Sequence, residues 1–380
     1  MIHSDDAFRA LSAAPVPRPH TEVPGLRVHS LRTRTPLASS LWIQQTSRLG
    51  AMRRFVQPVL DAGRFDVIHF HNVSLIGGAQ ALTLRPASGN PVKLMTAHEH
   101  WLQCPLSSLW KFDREVCVTP QCVRCSLQRG RPPQLWRMTS ALPRALGDLD
   151  ALLFPSRHAL ALHRGSPLGA SAPRADCLPN FLPEDWAAAA PDHPPAPAPA
   201  RPYFFAAGRL VPEKGFARLI PLMKHFPGVD LLIAGAGRSR QDLLRLAAEG
   251  KREGHCNVHF EGMLSSASLA ALCRHAVAAI VPSAFYETFG YVAVEAMSLG
   301  TPVILHDHGA LPELLQSGGG LSYRTDEELL AAMRRLLDDP GLRARLSAEG
   351  PQACRTLWSE EKHIGRYLDL ITGIQSETRK

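Results

Sequence analysis

Residues 187–202, AAAAPDHPPAPAPARP, constrain this chain more than any other stretch. Proline lacks the backbone donor that a helix interior or a central strand requires, so the segment belongs to neither. It divides the 380 residues into two regions. Each region alternates short apolar runs with amphipathic stretches, the pattern of parallel sheets covered by helices. Strands are predicted at 65–70, 92–96 and 151–154 in the first region, and at 203–207, 229–234, 257–261, 278–281 and 302–305 in the second. Helices are predicted over 240–248, 266–274 and 326–338. No fixed-period repeat is visible. The expectation is two α/β domains, residues 1–180 and 203–355, joined by a linker at 181–202 and followed by a helix and tail at 356–380.

Hydrophobic residues make up 45% and charged residues 20%, which excludes a disordered or fibrous chain. No apolar run approaches the roughly 20 residues needed to cross a bilayer. MIHSDD has neither the basic nor the apolar region of a secretory signal, so the cytoplasm is the expected compartment. Charge is uneven. Residues 1–180 hold 21 Lys/Arg against 11 Asp/Glu, netting +10, and residues 181–380 hold 21 against 23, netting −2. A basic first half suits an anionic partner, such as the inner membrane surface contacted peripherally or a lipid-linked phosphate, or else is a solvated Arg-rich surface. No helix-turn-helix, zinc-finger or aromatic RNA-binding pattern occurs, so nucleic acid is not expected as a partner.

In open α/β sheets ligands sit beyond the carboxyl ends of the strands, where loops meet helix N-termini. Four segments fall at such places. Gly208-Arg209-Leu210-Val211-Pro212-Glu213-Lys214-Gly215 follows the strand at 203–207, and Arg209 and Lys214 can converge there on a diphosphate. Ala234-Gly235-Ala236-Gly237 follows the next strand, and its glycines admit either a close ligand or a tight turn. ETFGYVAVE, Glu287 to Glu295, runs into a helix that Gly300 ends. Its two carboxylates bracket a helix N-terminus, whose free N–H groups and positive dipole favour a phosphate. Gly309-Ala310-Leu311-Pro312-Glu313-Leu314 is a fourth loop-to-helix entry, readable also as a plain helix start.

GRLVPEKG, IAGAG, ETFGYVAVE, MSLGTPVI and GALPELL, in that order, resemble the C-terminal domain of the family 4 retaining glycosyltransferases over about residues 200–370. The resemblance implies a GT-B fold, two Rossmann-like domains facing across a cleft, with a final helix at 358–371 crossing back to the first domain. It implies a nucleoside diphosphate sugar as donor, a glycan or lipid-linked acceptor, and transfer with retention in polysaccharide or glycolipid synthesis. Carried over, Arg209 and Lys214 neutralise the donor diphosphate, Glu295 binds the ribose hydroxyls, and Glu287 holds the sugar near its anomeric carbon. Phe289, Gly290 and Tyr291 offer backbone N–H groups to sugar and phosphate oxygens. DVIHFHN and LMTAHE end strands with histidines, similar to the acceptor-side strand ends of the family. There the histidine of a T-x-H-[DE]-like segment touches the transferred sugar, and in this chain that residue is His98. His71 has no such assignment.

Family members open with an apolar strand and a Gly-rich loop, whereas MIHSDDAF resembles the end of the second strand and the loop after it. In a 3-2-1-4-5 sheet the first strand is central, and without it strands 2 and 4 lose their shared neighbour. No DxD-like motif accompanies the donor segments, so no catalytic metal is expected. Cys104, Cys117, Cys122 and Cys125 lie within 22 residues and close on a C-x2-C. Either they hold a structural zinc ion tetrahedrally or they are free buried thiols. The cysteines at 177, 256, 273 and 354 read as core. Arg124, Arg129, Arg131 and Arg137 with Trp101, Trp110 and Trp136 suit an acceptor-facing or membrane-facing surface. A GT-B-like epimerase or phosphorylase, or a non-catalytic partner subunit, would share these features.

Overall fold

A computed structural model of the chain describes residues 1–11, 23–184, 186, 201–252 and 257–378. Residues 187–200 of the Ala/Pro-rich segment, and Cys256, lie outside the described residues. The first half contains β1 (Ile2–Ser4), β2 (His29–Leu31), β3 (Val67–His71), β4 (Val92–Thr96), β5 (Trp110–Lys111), β6 (Glu115–Val116), β7 (Ala151–Phe154) and β8 (Ala175–Cys177). Four of these form a parallel sheet in the order β3-β4-β7-β8. The second half contains β9 (Tyr203–Ala207), β10 (Asp230–Ala234), β11 (Val258–Gly262), β12 (Ala278–Val281), β13 (Val303–His306) and β14 (Gly320–Tyr323). They build one parallel sheet in the order β11-β10-β9-β12-β13-β14. This is the doubly wound 3-2-1-4-5-6 order, with its switch point between β9 and β12.

Neighbouring residues of β9 show why such strands read as unbroken apolar runs. Phe204 packs with Leu231, Ile280 and Ile304 on one face of the sheet. Phe205 packs with Leu232, Ala279 and Leu305 on the other. Successive side chains point to opposite faces, and both faces are buried under helices, so every position must be apolar. The helix Glu360–Thr378 returns to the first half, where Ile371 and Ile374 pack on Val92, Leu94, Ala151 and Leu153. The expected crossover is therefore observed, starting two residues later and running seven residues further than the 358–371 expectation.

The first half departs from a continuous sheet. Strand β1 pairs in parallel with β2 alone, and β3 carries no partner on its outer edge among the described residues. Between the two sheets lies a groove of about 700 Å³ whose walls include Ile2, Leu26, Val56, Leu60, Ile68 and Phe70. A short antiparallel hairpin, β5–β6, stands apart from both sheets.

Candidate functional site

The carboxyl ends of β3 and β4 face those of β9, β12 and β13, and the loops between them meet through specific bonds. Thr288 Oγ1 donates to His98 O at 2.8 Å, and His100 Nε2 lies 2.9 Å from Tyr286 O. Glu313 accepts the backbone N–H groups of Arg157 and His158 at 3.0 and 2.6 Å, capping a helix of the opposite half. The GALPELL segment thus contributes one of the contacts between the two halves.

The glycines of the second half have a local cause. A Cβ on Gly235 (φ 133°) would sit 2.0 Å from Gly208 O, and one on Gly237 would sit 2.3 Å from Leu210 O. The loops after β9 and β10 therefore pack backbone against backbone, with Leu210 N donating to Ala236 O at 2.9 Å. Gly215 (φ 73°) similarly lets the Lys214 loop lie against Pro282 O. Glycine here brings two ligand-side loops into register, whatever they bind.

A cavity of about 180 Å³ crosses the cleft. From the second half Lys214, Ser283, Glu287, Phe289, Gly290 and Tyr291 line it, and from the first half His98 and Asn180. Lys214 Nζ and Ser283 Oγ each lie 2.6 Å from Glu287 Oε1, and the ammonium stands 5.1 Å from the Phe285 ring centroid. The cation expected at a diphosphate and the carboxylate expected at a sugar are thus one ion pair. Gly290 (φ 106°) caps the helix Tyr291–Ser298, its carbonyl accepting the Ala293 and Val294 N–H groups at 3.0 and 3.3 Å, while Tyr291 and Val292 precede the first intrahelical bond. The Phe289 side chain is core, packed edge-on against Trp358.

His98 Nε2 lies 2.8 Å from His71 Nδ1, with the rings stacked at 5.0 Å. Burial first, then the His71 and His363 charges, lowers the His98 pKa to about 4, so it is neutral at pH 7. His69 completes the row. Its ring nitrogens lie 2.8 Å from Thr96 Oγ1 and 3.0 Å from Tyr367 OH of the crossover helix, and burial takes its pKa down to about 3.

Two expected residues stand away from this cavity. Arg209 is exposed, and its charge acts on Glu99. Glu295 lies within the helix Tyr291–Ser298, and burial pushes its carboxyl up. A third cation, Arg238, went unassigned in the sequence although it directly follows Gly237. It meets Asp113 of the β5–β6 turn at 2.9 and 2.8 Å, and Glu213 at 3.3 Å. Asn180 and Ser283 carry no motif that would have singled them out, and Glu213 lies within GRLVPEKG without an assigned role.

The four clustered cysteines are free thiols. They gather around the β5–β6 hairpin and the helix Cys122–Gln128, and burial followed by the Cys104 and Cys122 neighbours pushes the Cys117 thiol up to about 11. Among the described residues no three His, Cys, Asp or Glu side chains are arranged to hold a metal ion; Cys104, Cys117, Cys122 and Cys125, read as either zinc ligands or free thiols, stand as free thiols near one another.

Residues 193–353 match the family model described as glycosyl transferases group 1. The glycogen synthase of Mycobacterium tuberculosis is 40% identical over 145 residues, which cover 36% of this chain and 34% of that protein. A phosphatidyl-myo-inositol mannosyltransferase of Mycobacterium leprae is 35% identical over 190 residues, 48% of this chain and 50% of that one. The chain thus matches about a third to a half of these relatives' length. The sucrose-phosphate synthase structure from Thermosynechococcus elongatus superposes with a TM-score of 0.65 at 21% identity, over 87% of this chain and 78% of that one. The architecture is GT-B, two Rossmann-like domains across a cleft with a helix crossing back.

Proposed function

We propose that the chain transfers a sugar from a nucleoside diphosphate sugar to an acceptor hydroxyl, with retention, as family 4 glycosyltransferases do in polysaccharide or glycolipid synthesis. One observation carries the reading: the Lys214–Glu287 pair, the N-terminus of the helix Tyr291–Ser298 and His98 of the opposite half line a single cavity. In the reaction the bond from the anomeric carbon to the diphosphate oxygen breaks and a bond to the acceptor oxygen forms. The acceptor proton passes to the departing phosphate oxygen. Lys214, Arg209 and the helix N–H groups stabilise the charge that develops on the diphosphate, an electrostatic effect. Glu287, held by Lys214 and Ser283, takes hydrogen bonds from sugar hydroxyls, and neutral His98 hydrogen-bonds the same sugar. Glu295 takes the ribose hydroxyls. No step uses a metal.

The basic first half supports peripheral contact with an anionic membrane. Leu37, Leu41 and Trp42 are exposed on the helix Pro36–Thr46, beside exposed Leu135 and Met138. Gln45 Nε2 to Pro132 O at 3.3 Å and Trp136 Nε1 to Gln44 O at 3.0 Å join these segments into one surface. Apolar side chains among cations suit a lipid-headgroup boundary.

The unpaired edge of β3 favours a second reading, a partner subunit that binds the donor without turning it over. Calorimetry with nucleoside diphosphates, followed by NMR of the product's anomeric configuration, tests both. Absence of nucleoside diphosphate binding refutes the donor site. Binding without transfer in any acceptor mixture selects the partner subunit, and an inverted product refutes retention.

A further inference from the structure

A second cavity, of about 240 Å³, opens in the first half. The residue after His98 joins it to the cleft: His98 lines the donor-side cavity and Glu99 lines this one. Glu99 is in extended backbone (φ −142°, ψ 168°), where successive side chains point apart, so neighbouring residues of one strand end serve the two spaces. Burial pushes the Glu99 carboxyl up, opposed by a hydrogen bond with Ser107 and by the charge of Arg209 on the donor-side loop. Glu99 therefore lines this cavity while its field couples to a cation on the loop that also carries Lys214.

The remaining walls define what fits. Trp101 and Trp136 supply two indoles with centroids 6.1 Å apart, Gln44, Ser47, Ser74 and Gln134 supply amides and hydroxyls, and Arg131 supplies a guanidinium, with aliphatic side chains completing the wall. Ser47 Oγ already accepts the Ala79 N–H at 2.7 Å, which leaves its proton to donate. Gln134 Oε1 accepts from Arg137 Nε at 2.7 Å, which leaves its amide N–H groups to donate. Several donors, one carboxylate acceptor and amphipathic rings match a polyol, which presents hydroxyls at its edge and C–H groups on its faces. An acyl chain would leave those polar groups unpaired. The volume lies below the roughly 300–1,000 Å³ of sites for drug-sized ligands, so it holds a single small unit.

We infer that this cavity receives the terminal saccharide unit of the acceptor, with Glu99 accepting a hydrogen bond from one of its hydroxyls beside the donor sugar. The inference rests on the transferase reading, and the experiment separates the two. Intrinsic tryptophan fluorescence, which Trp101 and Trp136 report, is followed while methyl α-glucoside, methyl α-mannoside, methyl α-galactoside and their octyl counterparts are titrated into the full chain saturated with UDP. At least one methyl hexoside is expected to give a saturable change in the millimolar range. Ser74→Phe, which fills the cavity, and isosteric Glu99→Gln should each weaken it by about tenfold or more, with UDP affinity retained. If Ser74→Phe does not fold, Glu99→Gln decides. Tighter binding of the octyl form points to a lipid-linked acceptor, and equal binding to a soluble glycan. No saturable change with any hexoside, or unchanged affinity in the folded variants, overturns the inference. Hexoside binding in a protein that binds no nucleoside diphosphate would instead overturn the transferase reading and leave the cavity's ligand standing.

Discussion

Lys214 and Glu287 neutralise each other, so a diphosphate has to compete for the ammonium that the carboxylate holds at 2.6 Å. Charge-assisted hydrogen bonds contribute about 1.5–3 kcal/mol, so Lys214→Ala is expected to weaken nucleoside diphosphate binding by roughly tenfold or more. Arg209→Ala should act in the same direction, and isothermal titration showing unchanged affinity in both would remove the diphosphate assignment. Glu295→Ala should weaken a nucleoside diphosphate but not inorganic diphosphate, and equal losses would make Glu295 structural. The histidine row makes stability pH-dependent. His69, His98 and His163 have folded pKa values of about 3, 4 and 4, below the unfolded value near 6.5. Between those limits the unfolded chain binds more protons, so stability is present above about pH 6.5 and declines as the pH falls toward 4. The urea midpoint should therefore drop between pH 7 and pH 5, less so in His69→Asn, and a flat profile would contradict the burial of these rings. At this scale the sequence motifs place Lys214, Glu287, Gly290 and His98 on loops that line one cavity. The sequence was not legible at Arg238, whose partner Asp113 comes from a distant segment and leaves no mark in local spacing.

Strands buried on both faces announced themselves, and those built from two or three residues did not. The predicted 203–207, 278–281, 92–96 and 151–154 coincide with β9, β12, β4 and β7, whose every residue is apolar or packed. Strand β14 starts within Gly318-Gly319-Gly320 and so presents no apolar run in the sequence, and β5 and β6 have only two residues each. That unforeseen hairpin has a cross-cleft role. Its turn holds Phe112 and Asp113 at φ 56° and 59°, left-handed values that suit the twist of a tight hairpin but are uncommon for Phe. The turn delivers the Asp113 carboxylate to Nη1 and Nη2 of Arg238, which donate to its two oxygens. A double-mutant cycle with Asp113→Asn and Arg238→Gln should give a coupling of about 0.2–1 kcal/mol, the range for a partly exposed pair. A coupling of zero would mean that the hairpin merely rests there. The helix Pro36–Thr46 is also testable alone. Sedimentation with phosphatidylglycerol vesicles should carry the protein down more than phosphatidylcholine vesicles do, and Trp42→Ser should reduce it. Equal recovery with both lipids would rule out the anionic surface as the partner.

At the scale of the whole molecule, the two halves differ in how completely their sheets are paired. In the second half β9 is flanked by β10 and β12, and its backbone groups are matched on both edges. In the first half β1 and β3 present facing edges across a groove lined by apolar side chains of both sheets. Unpaired parallel edges beside buried apolar surface are costly, because N–H and C=O groups lose partners and the walls lose contacts. One extended apolar strand, parallel to both, would unite β2-β1 and β3-β4-β7-β8 into a single sheet. Each large apolar residue so buried contributes about 1.5–3 kcal/mol. Fixing its backbone costs about 1–2 kcal/mol. Five such residues, with ladder bonds on both edges, would therefore add a few kcal/mol. A strand with a helical crossover, fused ahead of Met1, is expected to raise the melting temperature by roughly 2–4 °C per kcal/mol gained. It should also reduce binding of an apolar dye and increase sugar transfer, since the loop after such a strand would end at the cleft beside His71 and His98. A fusion whose strand carries alternating Lys residues controls for added length, because it cannot bury its side chains. Equal melting, dye binding and transfer among the fused, control and original chains would show that the groove is a stable feature of a two-sheet domain.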